Sequence, residues 1–472
     1  MDIRPTLIAL LLLAAGQPAP LLAADPAAGD ARPAAGAEAP AAGAEAPGAG
    51  AEAPGAGAAA PGAGAEATSG VEQSAAQPSD FSKARLDYGR YLARAGDCVA
   101  CHTRPGGKPF EGGLGIDTPF GTIYTPNITP AKGDGIGDFS DEDFLRALQH
   151  GIRPDGKPYY PALPYPSFTK VDDDDLLAIK DYLSTLEPSS YRPPRTRLRW
   201  PFDDRDLLFG WQAVYFEPGR LVPDPSKSDE WNRGAYLVEG LGHCGACHTP
   251  RNFAGATKQR DALTGAFVDG WYAPDLTSDL SEGVGKWSVD ALAEYLHSGL
   301  APAAGSGDGP QTAALGPMAE VVHDSLSKLA LSDLRAIAVY LKDRPARPAP
   351  REQAPVPERL SAKTYATGRR LYEDYCSACH QRYGQGLAPY FPALRGNEAV
   401  TQQTPDDVLE TLLLGAPANP ADAYSRHVVM PSFGTVLNDA QIAALASFIR
   451  ASWGNDAAPV TAEEVAAARA RP

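Results

Sequence analysis

Cys98-Val99-Ala100-Cys101-His102 is the first of three copies of one short motif in this chain of 472 residues. Two cysteines separated by two residues and followed directly by a histidine form the attachment motif of c-type haem. The two thiols add to the vinyl groups of the porphyrin while the imidazole reaches the iron, so all three groups must act from one turn of chain. The motif cysteines are Cys98, Cys101, Cys244, Cys247, Cys376 and Cys379, and the histidines are His102, His248 and His380.

Three other uses of cysteine compete with haem attachment. A framework of three disulfides is excluded by position, because all six cysteines belong to the three motifs. A zinc site would need further Cys or His partners at ligand spacing, and the other five histidines are scattered singly. One copy would fit a redox dithiol or half a zinc site, but three copies that use every cysteine favour haem. The sequence therefore predicts three covalently bound haem c groups.

The first 80 residues are expected to lie outside the folded part of the protein. An apolar run over 7–15, preceded by Arg4 and followed by small residues at 23 and 24, indicates a signal peptide over 1–24 and hence export. Residues 25–80 repeat variants of Gly-Ala-Glu-Ala-Pro and have almost no large apolar side chains to offset the entropy of ordering. They are interpreted as a disordered acidic tether, or as a solvated extension without a specific role.

The overall charge excludes one class of partner. The chain carries 42 basic and 58 acidic side chains, a net charge of −16. A protein that binds a nucleic-acid backbone needs a positive surface. No nucleic-acid partner is therefore expected.

Each motif ends one helical segment and is followed, after a loop-rich stretch, by a second amphipathic segment. The expected fold is mainly α, with three tandem small c-type cytochrome domains that have long loops. Their boundaries are placed at about 81–190, 226–345 and 361–455, and residues 456–472 form a C-terminal tail.

Two sequence patterns support this division into units. Each unit pairs a glycine in its first helix with an aromatic residue in its last, as two helices that cross at close approach require; the pairs are Gly89 and Tyr182, Gly234 and Tyr340, Gly368 and Phe448. The first two units also repeat at a constant offset of 148 residues, for example Tyr124 with Tyr272 and Gly151 with Gly299. This offset indicates a duplication.

The sixth iron ligand is assigned from methionine positions. Only Met318 and Met430 remain after the signal peptide, and each precedes the closing helix of its unit. A methionine there is expected to supply a thioether to iron, which raises the haem potential. The first unit has Leu163 at this place, so its haem is either five-coordinate or uses another residue. His150 is the other histidine of that unit, and its position at the end of a helical pattern is more typical of a surface residue.

The order of several longer motifs resembles one protein family. These are Cys98–Thr103, Thr118–Tyr124, Asn127–Pro130, Cys244–Asn252 and Ser452–Asn455. The chain resembles the three-haem cytochrome c subunits of bacterial periplasmic dehydrogenases for alcohols, gluconate, fructose, sorbitol and aldehydes. The family pattern in the first unit is Pro-Ala-Met-Pro-Tyr, from which this chain departs at Leu163. The tether is an addition, and the tail lacks the apolar anchor that some relatives have.

The resemblance implies a role, a location and partners. It implies an electron-transfer subunit that accepts electrons from a separate dehydrogenase catalytic subunit carrying FAD, pyrroloquinoline quinone or a molybdenum cofactor. Electrons would pass to ubiquinone or a terminal oxidase. The location would be the periplasm, peripheral on the outer face of the inner membrane, and a small accessory subunit is a further candidate partner. The alternative is a haem enzyme, peroxidase-like or acting on small ligands, at an open first haem.

Overall fold

The computed structural model describes residues 82–302, 310–347, 360–387, 390–416 and 429–471. The predicted signal peptide and tether lie outside these ranges. The described chain is mainly helical with long loops, which confirms the predicted fold class. None of the helices in the described ranges combines the length and the hydropathy that crossing a bilayer would require.

The first unit consists of five helices and a small sheet. The helices are α1 (Lys83–Ala95), α2 (Cys98–Cys101), α3 (Asp141–His150), α4 (Tyr165–Phe168) and α5 (Asp173–Ser184). Strands β1 (Gly115–Thr118) and β2 (Gly121–Tyr124) are antiparallel, with Gly115 opposite Tyr124. Strand β3 (Arg197–Leu198), from the segment that follows the unit, pairs with β2.

The second unit repeats this succession of elements and adds a π-helical turn and a second hairpin. After the connecting helix α6 (Leu207–Tyr215) come α7 (Asp229–Tyr236), a π-helical turn (Leu237–Leu241) and α8 (Gly245–His248). Strands β4 (Thr264–Val268) and β5 (Trp271–Asp275) pair antiparallel, as do β6 (Leu300–Pro302) and β7 (Pro310–Ala313). The remaining α-helices are α9 (Val289–Ser298), α10 (Gly316–Asp324) and α11 (Leu331–Asp343).

The third unit is helical in its described part. It contains α12 (Ala362–Tyr375), α13 (Ser377–His380), α14 (Glu398–Thr401), α15 (Asp406–Leu414), α16 (Asp439–Arg450) and α17 (Ala462–Arg469). Helix α17 belongs to the segment predicted as a tail, yet Val465 is fully buried in the core of this unit. The end of the described chain is therefore packed against the third unit.

Local side-chain chemistry fixes where the main helices begin. Ser82, Ser228 and Ser361 each accept a hydrogen bond from a backbone N–H in the first turn of α1, α7 and α12. Asn438 and Gln441 form a reciprocal capping box at the start of α16. These contacts satisfy backbone donors that have no partner within the helix.

The predicted close crossing of first and last helices is present in all three units. A Cβ atom on Gly89 would lie 1.9 Å from the Ala178 carbonyl oxygen, and the corresponding distances are 2.0 Å for Gly234 to Ala336 and 2.2 Å for Gly368 to Ala444. The same virtual atoms would lie 3.1, 2.8 and 2.5 Å from the Cβ atoms of Tyr182, Tyr340 and Phe448. Only glycine allows the helices to approach so closely.

The first two units share a single hydrophobic core. They are related by an approximate two-fold symmetry, because each unit makes the same contact to the other. The Tyr91 hydroxyl donates to Asp333 of the second unit (2.6 Å), and the Tyr236 hydroxyl donates to Asp175 of the first (2.6 Å). Each hydroxyl also accepts a backbone N–H, from Ala330 and Asp172 respectively, at 3.2 Å in both cases. Because the two sets of contacts are equivalent, the pair is built like a symmetric dimer within one chain.

The third unit has its own core and contacts the second through polar groups. The Trp287 indole N–H donates to Glu398 (2.9 Å), the Tyr272 backbone N–H donates to Asp407 (2.8 Å), and Arg471 donates to the Gly270 carbonyl (2.8 Å). Arg471 also pairs with Asp406 and with Glu410.

Two features of the fold were not predicted from the sequence. The strands are short, and their residues show no sustained alternation of apolar and polar side chains, which is the usual signal for a strand. Helix α6 lies between the first two predicted domains, in a segment for which no helix was predicted. Its sequence contains Gly210 and lacks the one-sided apolar pattern of a typical surface helix.

Replacing Gly89 with alanine is expected to destabilise the protein by about 3 kcal/mol or more, because the new methyl group would overlap a backbone carbonyl. The measurement is the midpoint of denaturant unfolding of the haem-loaded protein. The matched control is Gly210→Ala, a helical position with nothing within 4 Å of the added atom, where a small gain is expected. Equal midpoints for the two variants would show that the α1–α5 crossing does not limit stability.

Candidate haem sites

Each motif histidine makes the same hydrogen bond. The Nδ1–H of His102 donates to the Pro126 carbonyl (2.7 Å), that of His248 to Pro274 (2.7 Å) and that of His380 to Pro392 (2.9 Å). A carbonyl oxygen can only accept, so this bond fixes the proton on Nδ1 and leaves the Nε2 lone pair free. This is how proteins orient a histidine that binds a metal.

The electrostatic surroundings keep these imidazoles neutral. Burial lowers the pKa of His102, His248 and His380 below the usual 6.5, and the bond to the carbonyl opposes this only in part. A neutral imidazole is the form that coordinates iron. Each histidine is therefore prepared for ligation at neutral pH.

The cysteine environments argue against redox and zinc chemistry. Burial raises the pKa of Cys98, Cys244 and Cys376 to about 12, whereas a redox-active dithiol needs a thiol whose pKa is lowered. Within the described ranges, no three His, Cys, Asp or Glu side chains come together as a group that could hold a metal ion. The thiols thus fit covalent attachment better than the alternatives.

The third unit encloses a mostly apolar cavity at its motif. Cys376, Cys379 and His380 line it together with Met430, which comes from the loop before α16. The Met430 backbone is held by a pair of 3.0 Å hydrogen bonds with Ala416. The structure therefore brings the predicted imidazole and thioether ligands of the third unit to one cavity.

The second unit supplies part of the wall of this cavity. Leu300, Ala313, Ala314 and Leu315 line it alongside the residues of the third unit. Leu315 stands three residues before Met318, the predicted ligand of the second haem, and its carbonyl accepts the Met318 backbone N–H (3.1 Å). The residues directly before helix α10, which carries one predicted ligand, thus cover the neighbouring site.

The remaining predicted site residues are placed as follows. Met318 lies in the first turn of α10 and packs, like Cys244, against the core shared by the first two units. Leu163 is half-buried between Tyr160 and Tyr165, to which its backbone N–H and carbonyl are bonded. His150 is the exposed last residue of α3, which confirms the interpretation as a surface residue.

Comparison with known proteins assigns the family. The cytochrome c family model matches residues 86–187 and 365–453. The chain is 39% identical over 398 residues to the gluconate 2-dehydrogenase cytochrome c subunit of Pantoea cypripedii, covering 81% of this chain and 88% of that protein. The chain belongs to the cytochrome c family. The resemblance noted from the motifs is thereby confirmed.

Two further relatives of this cytochrome differ in how much of their own length the chain covers. The fructose dehydrogenase cytochrome subunit of Gluconobacter japonicus is 37% identical over 433 residues, which is 86% of this chain and 87% of the relative. A nicotinate dehydrogenase subunit of Pseudomonas putida KT2440 is 41% identical over 381 residues, or 80% of this chain. The cytochrome spans only 31% of that longer protein.

The residues present fit covalently bound haem c, the group that membership of this family implies. The third site provides two thiols, a neutral imidazole with its Nε2 free, a methionine and apolar walls. When bound, the haem supplies one-electron chemistry, and the protein tunes it through the axial ligands and the burial of the site. In the third unit the chain offers one imidazole and one thioether at the same cavity.

Two polar residues at the motifs were missed by the sequence analysis. Asp97 and His243 directly precede the first cysteine of the first two motifs, and both have left-handed backbone (φ 47° and 36°). Burial, with Asp324 and Glu320 of the second unit, raises the pKa of Asp97 to about 7. In the sequence, these two residues could have been recognised from the order glycine, polar residue, cysteine that 96–98 and 242–244 share.

One carboxyl group faces the cavity of the third unit. Asp407 lines it, is buried, and accepts the Tyr272 backbone N–H and a hydrogen bond from Gln402. Burial raises the pKa of Asp407 to about 6, the hydrogen bonds oppose this, and Asp406 and Glu410 add to it. Arg471 partly compensates those two neighbours through its ion pairs.

The potential of the third haem is expected to fall as pH rises through about 6, by on the order of tens of millivolts. Above that pH Asp407 is a carboxylate, and its negative charge stabilises ferric over ferrous iron. Redox titration between pH 5 and pH 7 measures the effect. Asp407→Asn should remove this step and raise the potential at pH 7, while Asp374→Asn, at an exposed position on α12, should retain it. An unchanged pH dependence in Asp407→Asn would contradict the assignment.

Proposed function

We propose that this cytochrome is the electron-transfer subunit of a dehydrogenase complex and carries three haem c groups. The observation that carries the proposal is the repeated arrangement of two cysteines and one histidine whose Nδ1–H is bonded to a proline carbonyl. This arrangement provides three separate sites, each with one imidazole nitrogen free to bind a haem iron. No acid/base or nucleotide-binding constellation was recognised in the sequence.

The haem count of three is supported by the equivalence of the first two units. The family model matches the first and third units, and the second lies between the two matches. The second motif nevertheless has the same hydrogen bond, at the same 2.7 Å, to a proline that is offset by 148 residues from its counterpart. A site built like the first should hold the same group.

The partners follow from the relatives. Two of these are cytochrome subunits of gluconate and fructose dehydrogenases, so the proposed electron donor is a separate catalytic subunit with FAD, pyrroloquinoline quinone or a molybdenum cofactor. The proposed acceptor is ubiquinone or a terminal oxidase. The proposed location is the periplasm, after removal of residues 1–24, with peripheral attachment to the outer face of the inner membrane.

A second function is favoured by Leu163. A leucine cannot coordinate iron, so an iron bound by His102 would keep an open position for a small ligand. We therefore retain haem-enzyme chemistry at the first site, of the kind that acts on peroxide, as the second candidate. Electron transfer is preferred because Met318 and Met430 suit it at the other two sites.

A pyridine haemochrome titration of the purified chain is expected to give three haems. Cys244→Ser with Cys247→Ser should give two, because the first and third motifs remain intact. Fewer than three haems in the unchanged protein would refute the proposed count.

Purification from the native membrane tests the partner, since isolation of the cytochrome without any catalytic subunit would argue against the complex.

Carbon monoxide is expected to bind one haem in three of the reduced protein, because only the first iron lacks a thioether. Leu163→Met should abolish binding, whereas Met430→Leu should raise it to two haems in three. The stoichiometry is read from the optical spectrum. If the unchanged protein binds none, the first iron has another ligand, and both the enzyme candidate and the role given to Leu163 are wrong.

A further inference from the structure

The segment between the first two units presents an apolar surface that the proposed electron transfer does not use. Helix α6 contains no charged residue and no buried one. Leu207, Phe209 and Val214 are exposed on it, Val214 to 67%. A surface helix normally turns a polar face to water. This helix turns an apolar one.

The surface is held firmly by both units. The Trp211 indole N–H donates to the Ala254 carbonyl of the second unit (2.9 Å), and the Gln212 side-chain amide donates to the His150 carbonyl of the first (3.0 Å). Trp211 also packs edge-on against Tyr165. Since the inner side of α6 is fixed in this way, its apolar side is fixed outward.

Two strongly exposed aromatic residues lie in segments that adjoin the helix. Phe253 precedes the Ala254 carbonyl that holds Trp211, and it is 85% exposed. Trp200, which follows β3, is also 85% exposed. We call Trp200, Leu207, Phe209, Val214 and Phe253 the connector face. Apolar patches of this kind on a folded protein mark interaction sites.

The strand that leads to the connector face is basic. Arg195, Arg197 and Arg199 are exposed, and in the described part of the chain none of them pairs with a carboxylate. Residues 192–222 contain six arginines and four acidic residues, a net +2 in a chain whose total is −16. The apolar surface is thus joined to a positive one in an otherwise acidic protein.

We propose that the connector face, with Arg195, Arg197 and Arg199, docks on an anionic phospholipid bilayer. Aromatic and aliphatic side chains would enter the headgroup and acyl boundary while the arginines meet the phosphates. Tryptophan is enriched at this depth of a membrane. The inference deepens the proposed peripheral attachment and rests on it, and it is independent of the haem count.

The chemistry of the surface favours lipid over a protein partner. Protein interfaces carry about one hydrogen bond per 100–200 Å². The outward side chains of α6 at 207, 209, 213 and 214 are Leu, Phe, Ala and Val, and none can donate or accept a hydrogen bond. Lipid acyl chains form no hydrogen bonds, so they match this surface.

The test is co-sedimentation of the full-length, haem-loaded protein with lipid vesicles. One set contains phosphatidylethanolamine and phosphatidylglycerol, and the other contains phosphatidylcholine alone. Leu207→Gln with Val214→Gln should lower the partition coefficient about tenfold or more. The matched control is Leu280→Gln with Val436→Gln, a leucine and a valine that are 65% and 56% exposed elsewhere. It should bind as the unchanged protein does.

The arginines are tested separately. Replacing Arg195, Arg197 and Arg199 with glutamine should weaken binding to the anionic vesicles by roughly fivefold for each arginine at low salt. Binding to phosphatidylcholine should change little. Equal loss on both lipids would show that attraction to the net negative charge of the bilayer plays no part.

Several results would overturn the proposal. The first is that the unchanged protein does not bind vesicles. The second is that the variant with Leu207→Gln and Val214→Gln binds vesicles as strongly as the unchanged protein. Loss of a co-purifying catalytic subunit from that variant, with vesicle binding intact, would make the connector face a protein interface instead. Haem content, measured on every variant, separates this outcome from failure of the electron-transfer proposal.

Discussion

The hydrogen bond from each motif histidine to a proline carbonyl is the interaction on which the sites depend. It ties the motif to a loop 24, 26 or 12 residues further along the chain, and it decides which nitrogen can face an iron. A free imidazole could present either nitrogen. Since the motif helices α2, α8 and α13 are only four residues long, this bond and the crossing helices behind it supply the rigidity that the motif lacks.

The helix crossings and the unit interfaces place the sites relative to one another. Gly89, Gly234 and Gly368 let the first and last helices of each unit meet at backbone distance. The Tyr91–Asp333 and Tyr236–Asp175 bonds then join the first two units around one core. The third unit is joined through its own cavity, because Leu315 of the second unit lines it. The second unit therefore forms part of the wall of the third site.

The sequence was most informative where chemistry requires a fixed local spacing. The cysteines and histidines of the motifs, the crossing glycines and the position of Met430 could all be read from it. Other features could not be read from the sequence, because they depend on how distant segments dock. These are the proline carbonyls that accept from the histidines, the place of Leu315 in the wall of the third cavity, and the reciprocal Tyr–Asp hydrogen bonds between the first two units. Helix α6 was missed for a different reason. A helix whose outer side is apolar lacks the periodic pattern by which amphipathic helices are recognised.

The approximate two-fold relation between the first two units leaves each unit free to change its predicted ligands alone. In a true homodimer, every substitution appears at both sites, so two identical irons must keep identical ligands. Two copies on one polypeptide are released from that constraint, and each can change alone. The second unit keeps Met318, while the first has Leu163 at the corresponding place in its sequence. Fusion thus allows a symmetric scaffold to place different side chains at two equivalent positions, which separate identical subunits cannot do.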